Sequence, residues 1–271
     1  MSGEACAELV RRGDPDRWAT ARLAGPMAGR LMALYAFNLE VARIPSAVSE
    51  PMLGEIRLQW WRDATAEIFD GAEPRRHEVV APLAETIRAA DLPREPFEAL
   101  LDARSYDLAG PAIADRALFD AYLDGTAGRL MELAALALGA DEAERRAARL
   151  YGKASGAGAL IRALPALYAR GGDPIPTEAA PDRNALAEGR TPETVRAALR
   201  EIATDALGWM AEARRTRVRE PVRPALLAGW RGEAALRTAA RPGFELHRDL
   251  AEPSEFRRRW GLLRRVWSGR F

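Results

Sequence analysis

The sequence predicts an all-α protein folded as a single domain. Three observations carry that prediction: apolar residues recur at helical spacing along most of the chain, no alternating run of useful strand length occurs, and no repeat period or low-complexity tract intervenes. With 271 residues and 48% hydrophobic content, the chain can bury a sizeable core.

Met27, Leu31, Leu34, Asn38 and Val41 fall at helical spacing after Pro26, a residue suited to a first turn. This helix is expected to end near Ile44, because Pro45 disfavours helical dihedrals in the residue before it. Further helices are expected over 52–69, 79–90, 97–108, 118–138 and 141–168, with Gly, Pro and Asp in the separators. Pro165 removes an intrahelical hydrogen bond and predicts a kink in the last of these. Periodicity breaks at Gly171-Gly172-Asp173-Pro174-Ile175-Pro176 and stays broken to Arg190, so 171–190 is read as a surface excursion. A new helix follows, with Thr191 as its cap, Pro192 at the first helical position, Glu193 complementing the dipole, and Val195, Leu199, Ile202, Ala206 and Trp209 as its apolar stripe. Shorter helices are expected from Ala225 and from Pro253.

The last segment, 253–271, reads as a basic amphipathic helix. Phe256, Trp260, Leu263 and Trp267 follow helical steps, while Arg257, Arg258, Arg259, Arg264 and Arg265 take other faces. Two outcomes are open: the stripe docks into the bundle, or Arg257, Arg258, Trp260, Arg264, Arg265 and Trp267 meet a membrane surface or a client protein. Gly261 weakens an isolated helix by about 1 kcal/mol relative to Ala, which favours support by packing.

Composition excludes several classes of function. Forty basic residues against 39 acidic ones give no global attraction for nucleic acid, so none is expected as a partner. Cys6, the single cysteine, can form no internal disulfide and suits a reducing compartment. No apolar run of about 18 residues and no leader-like start is found, so the expected place is the cytoplasm, with peripheral contact at the inner face of a membrane left open. His77 and His247 lack partners at zinc-ligand spacing, and no nucleophile elbow, Walker loop or dinucleotide fingerprint occurs.

Two stretches, residues 34–46 (Leu-Tyr-Ala-Phe-Asn-Leu-Glu-Val-Ala-Arg-Ile-Pro-Ser) and 156–167 (Gly-Ala-Gly-Ala-Leu-Ile-Arg-Ala-Leu-Pro-Ala-Leu), resemble the two aspartate-rich helices of the squalene/phytoene synthase family of head-to-head prenyl transferases. Asp16-Arg17 with Ala24-Gly25-Pro26, Leu58-Gln59-Trp60-Trp61-Arg62-Asp63, residues 102–108, and Tyr122-Leu123-Asp124-Gly125-Thr126-Ala127-Gly128 continue the resemblance in order. It implies an isoprenoid-synthase-like helical bundle with a central cavity. Residues Ala33 to Ile44, followed by Glu55 to Asp63, are most similar to the family branch that includes a mitochondrial assembly factor of respiratory complex I. That likeness implies a synthase fold reused as a helper protein, with a respiratory complex subunit as its expected partner.

In the family, each Asp-x-x-x-Asp pair sets two carboxylates on one helix face, where they hold the magnesium ions that bind the substrate diphosphate. On this sequence the pairs fall on Ala42 and Ser46, and on Ala163 and Leu167. All four acids are missing. At an effective dielectric of about 20, one charge pair at 4 Å is worth about 4 kcal/mol, so the deficit is large. The resemblance also places the family's cavity tyrosine on Tyr122 and the arginine of its second acidic helix on Arg162, while its polar Gln and Asn fall on Gly156 and Ala159. Tyr35, Phe37, Asn38, Trp60, Tyr122 and Arg162 are therefore the candidates for lining a ligand cavity, with a filled aromatic core as the alternative.

The expected function is that of a catalytically silent binding or assembly factor, with respiratory complex I (NADH:quinone oxidoreductase) as the expected client and with no cofactor. Two alternatives stay open. One is a transferase acting on farnesyl or geranylgeranyl diphosphate, with magnesium held by displaced acids such as Glu40, Asp63 or Asp124. The other is a non-catalytic isoprenoid or quinone carrier. The one-turn pairs Asp63/Glu67 and Asp120/Asp124 are the substitute acids such a transferase would need, and solvated helix faces are the alternative account of them.

Overall fold

The computed structural model describes residues 2–109, 113, 115–250, 253–268 and 271. Every regular element among them is helical. The N-terminal half comprises α1 (Ser2–Gly13), α2 (Pro15–Ala21), α3 (Ala28–Arg43), α4 (Pro51–Phe69), α5 (Val80–Ala89) and α6 (Glu95–Ala109), with 3-10 turns at Arg22–Met27 and Ile44–Ala47. Next come α7 (Arg116–Leu123), a π-helical turn (Asp124–Gly128), α8 (Arg129–Ala137) and the long α9 (Glu142–Ala169). The remainder is α10 (Arg183–Ala187), α11 (Glu193–Ala213), α12 (Arg223–Leu227), α13 (Gly232–Ala239), α14 (Leu246–Asp249) and α15 (Glu255–Ser268).

α9 is the axis of the bundle, with α8, the π turn, α11 and α13 packed along it. Its start is fixed by a capping box: the Asp141 carboxylate accepts from Glu144 N, and Glu144 Oε2 accepts from Asp141 N at 3.0 Å. Two glycines then remove the side chains that would keep its neighbours away. A Cβ on Gly152 would lie 2.6 Å from the Ala127 carbonyl oxygen, and one on Gly158 would lie 2.5 Å from the Gly232 carbonyl oxygen. Both neighbours are backbone, so neither can give. On the far side of the molecule an aromatic cluster joins α3, α4 and α6, with the Phe37 ring edge-on to Trp61 at 5.3 Å and tilted against Phe97 at 5.8 Å.

Several expectations are corrected. Two further helices, α1 and α2, precede Pro26; the Asp14 side chain accepts from Arg17 N at 2.9 Å and Pro15 opens the second of them, a cap-and-proline signal present in the sequence. Ile44 keeps helical dihedrals (φ −51°, ψ −48°) despite Pro45, because the chain tightens into a 3-10 turn that buries the Ile44 side chain. α9 continues through Pro165 to Ala169, close to the extent expected over 141–168, with Ile161, Leu164 and Tyr168 buried around the proline. The helix expected over 118–138 is divided by the π turn. Thr191 does not cap α11: its hydroxyl accepts from Leu246 N at 2.8 Å and so ties down α14, while Pro192 takes the cap position. The 171–190 excursion carries α10 and buries Ile175 and Leu186.

The apolar stripe of α15 is not the face that docks. Phe256, Trp260 and Trp267 are exposed, and the half-buried positions Arg258, Gly261, Leu262, Arg265 and Val266 lie on the opposite face. A Cβ on Gly261 would sit 2.9 Å from the Trp230 ring, and Arg265 donates to Glu233 at 2.9 Å. Glu233 also accepts from Arg214 at 2.7 and 2.9 Å and pairs with Arg237 at 2.7 Å. The hydrogen bonds from Arg214 hold its carboxyl at about 2 against the opposing effect of burial, with Arg265 adding to the shift.

Two predictions follow from this packing. Gly158→Ala should lower the urea unfolding midpoint, at a cost of about 1–3 kcal/mol from overpacking. Gly208→Ala, at an exposed position of α11 where nothing lies within 4 Å of a new Cβ, should raise the midpoint, with a gain in stability of about 0.4–1 kcal/mol. The second concerns acid. Glu233 is depressed in the folded state, so its contribution is complete above the unfolded value of about 4.3 and is lost as pH falls through about 2. Glu233→Gln should lower stability at neutral pH by about 1–3 kcal/mol and flatten its decline between those values, as measured by denaturant titrations at stepped pH.

Candidate functional site

A central cavity of about 310 Å³ lies between α2, α3, α6, the π turn, α9 and the start of α13. Four of the residues expected there line it: Tyr35 and Asn38 from α3, Tyr122 from α7 and Arg162 from α9. Two do not, which corrects the expectation for them. Phe37 is fully buried in the aromatic cluster on the other side of α3. Trp60 faces a separate surface hollow with Glu40, Arg43 and His77, its ring edge-on to Trp61 at 5.1 Å and 5.2 Å from the Arg75 guanidinium.

Residues not singled out in the sequence organise the cavity. Arg104 of α6 donates to Asp107 Oδ2 at 2.9 Å, to the Tyr122 hydroxyl at 3.3 Å and to Asn38 Oδ1 at 3.3 Å. The Tyr122 hydroxyl in turn donates to Asp107 Oδ1 at 2.7 Å. Burial pushes the Tyr122 phenol well above its ordinary value, so the hydroxyl stays protonated and serves as that donor. The Arg17 guanidinium lies 5.5 Å from the Tyr35 ring centre, and it pairs with Asp14 at 3.3 Å. Arg231, just before α13, pairs with Asp16 at 3.0 Å, and Arg258 of α15 approaches the same carboxylate at 3.4 Å. The Tyr35 hydroxyl is buried with no hydrogen-bond partner among the described residues, and burial raises its pKa strongly. Asp16-Arg17 and the helix bearing Arg104 lay within segments that the sequence marked, but which side chains turned inward depended on packing.

Of the four positions where the family carries metal-binding acids, Ala163 lines the cavity. Ala42 and Leu167 are half-buried outside its lining, and Ser46 is exposed, its hydroxyl donating to the Arg43 carbonyl at 2.9 Å. The substitute acids are all engaged elsewhere. Asp63 accepts from Gln59 at 2.7 Å, Glu67 takes a two-pronged contact from Arg75, Asp120 pairs with Arg116 at 2.9 Å, and Asp124 is clamped by Arg149. Among the described residues, no three His, Cys, Asp or Glu side chains gather where they could hold a metal ion.

Magnesium can be tested against this lining directly. A hard divalent cation wants several oxygen ligands, anionic ones among them, in near-octahedral geometry. Among the described residues, the cavity lining includes the carboxylates of Asp14 and Asp16, each already paired with a guanidinium, and the arginines Arg17, Arg104, Arg162 and Arg231, while Asp107 just behind it is engaged by Arg104 and Tyr122. That lining repels a cation and suits an anion. The residues present do not fit a magnesium site.

The comparisons agree with this architecture. The family model for squalene/phytoene synthase matches residues 10–264. Complex I assembly factor 6 from Mus musculus is 29% identical over 163 residues, 59% of this chain and 48% of that protein, and the human protein is 29% identical over 164 residues. The chain thus spans about half the length of these relatives. Presqualene diphosphate synthase from Rhodopseudomonas palustris is 36% identical over 120 residues, 44% of this chain and 42% of that enzyme. A crystal structure of a dehydrosqualene synthase in complex with ligand superposes with a TM-score of 0.83 at 16% identity, covering 98% of this chain and 96% of the other. Squalene synthase HpnC from Alicyclobacillus acidocaldarius does so at 0.73 and 19%, covering 96% and 94%. With the family model matching residues 10–264, the chain belongs to the squalene/phytoene synthase family.

Proposed function

We propose that this protein is a synthase-fold assembly factor without prenyl-transfer activity, which works by binding a protein partner during the assembly of respiratory complex I. One observation carries the reading: the central cavity is walled by four arginines and two ion-paired aspartates where head-to-head transfer needs carboxylates to hold divalent cations. Ionising an allylic diphosphate requires the leaving group to be neutralised as its charge develops, and in this family the metals do that. Arginines can hold a diphosphate, but they offer no oxygen ligand to a divalent cation. The likeness to complex I assembly factor 6 over 59% of the chain supports the partner, and a protein client is proposed on that basis.

A second reading, a carrier for an isoprenoid with an anionic head, is favoured by the unpartnered Tyr35 hydroxyl among those arginines. It needs no turnover and is compatible with assembly work. Native mass spectrometry of the purified protein tests it: a co-purified prenyl lipid supports it, and a bare protein without saturable prenyl-lipid binding rejects it. A transferase with displaced ligands is less well supported, since Asp63 and Asp124 are held by Gln59 and Arg149 and Glu40 faces the separate hollow beside Trp60.

The assembly reading is checked by two measurements made together. Purified protein given farnesyl or geranylgeranyl diphosphate with magnesium or manganese should form no head-to-head product, and turnover at about 1 s⁻¹ or faster would reject the proposal. A deletion strain should lose NADH:quinone oxidoreductase activity several-fold while its carotenoid and hopanoid content stays unchanged. The reverse pattern would assign the protein to lipid synthesis.

A further inference from the structure

α15 is seated on the bundle by one face and leaves the opposite face bare. The seat is built from Arg265 on Glu233, Arg258 beside Asp16, and the Gly261 backbone against the Trp230 ring. At 3.6 residues per turn, Phe256, Trp260, Leu263 and Trp267 fall on one narrow stripe half a turn away from that seat. Their exposures are 76%, 52%, 39% and 77%. Single exposed apolar residues are ordinary on a protein surface, but a row of four along one helix, two of them tryptophans, is an unpartnered face.

The charge around the stripe indicates its occupant. Arg257 and Arg264 follow it on one side and Arg259 on the other, all exposed. The helix carries five arginines and one glutamate, Glu255, which Arg259 already engages at 2.9 Å. Over the whole chain basic and acidic residues nearly cancel, so this is a local concentration of positive charge. Alongside α15, a groove of about 1090 Å³ opens past Phe256, Trp260, Arg257 and Arg264, and the Arg162, Arg231 and Arg237 side chains add to the positive charge of its walls.

We propose that the outward face of α15 docks the protein in the plane of an anionic lipid bilayer. A sheet of phosphates meets the arginines on both flanks of the helix at once, while the tryptophan and phenylalanine rings enter the boundary between headgroups and acyl chains. A protein groove would have to supply acids along both of its walls to match the same pattern. Among the described residues no helix is long and apolar enough to cross a membrane, and this face needs none. The docking stands apart from the assembly reading, and either can fail without the other.

Co-sedimentation with vesicles tests it. The full chain should bind vesicles of phosphatidylcholine mixed with phosphatidylglycerol about tenfold more tightly than vesicles of phosphatidylcholine alone, and added salt should remove most of the difference. The double variant Trp260→Ser/Trp267→Ser should lose about tenfold in binding to the anionic vesicles. Arg257→Gln/Arg264→Gln should bring anionic binding close to the neutral level. All four positions are exposed, so unchanged circular dichroism and melting temperature are expected to accompany both losses. Equal binding to neutral and anionic vesicles, or variants that bind like the parent, would overturn the proposal. So would absence of vesicle binding together with retention of a soluble protein by the parent and not by the tryptophan variant, which would assign the face to a protein partner.

Discussion

Where α9 crosses α13, Gly158 meets Gly232 with no room for a Cβ between the two backbones. That contact does more than close the core. Arg162 stands one helical turn beyond Gly158, and Arg231 immediately precedes Gly232, so the same approach that joins the helices brings two guanidinium groups into the wall of the central cavity. Gly152 makes the equivalent approach to the Ala127 carbonyl in the π turn and sets the opposite wall. The shape of the cavity and the sign of its charge thus share a structural cause.

That charge is held in place by acids that are spent in doing so. Asp107 secures Arg104, Asp14 secures Arg17, and Asp16 secures Arg231. A guanidinium removed from water is stable only with its counter-charge and hydrogen bonds supplied, so none of these carboxylates is available to another cation. The cavity wall therefore carries guanidinium groups whose counter-charges are already engaged, a lining complementary to anions. Kinship to a synthase and to an assembly factor is consistent in this chain because packing and charge are carried by different residues.

Asp16 also links the cavity to α15, since it meets Arg231 on one side and Arg258 on the other. The groove alongside α15 and the central cavity share Arg162 and Arg231 in their walls. Whatever surface α15 meets is thus two side chains away from the cavity, and the aspartate between them is shared. A helix seated through ion pairs and one glycine, with its bulky residues turned outward, has its orientation fixed by electrostatics more than by burial.

Fold class and element order were legible because helical periodicity is a local property. The 3.6-residue pattern of α3, α4, α9 and α11 survives in any environment that buries one face. The rule that a residue before proline avoids helical dihedrals failed at Ile44, which a 3-10 turn keeps in the helical region with its side chain buried. The losses at Ala42, Ser46, Ala163 and Leu167 could be read from the order of residues, and so could the basic character of α15. Which of the aromatics faced a cavity could not: Tyr35 and Phe37 are two residues apart on one helix, and only the placement of α4 and α6 turned Phe37 into the core and left Tyr35 beside Arg17. The sequence by itself determined a helical bundle of the synthase type stripped of its acidic pairs. Tertiary structure alone decided that arginines from distant segments converge on one central cavity, and that α15 presents its tryptophans outward, because both depend on contacts between helices that are remote in the chain.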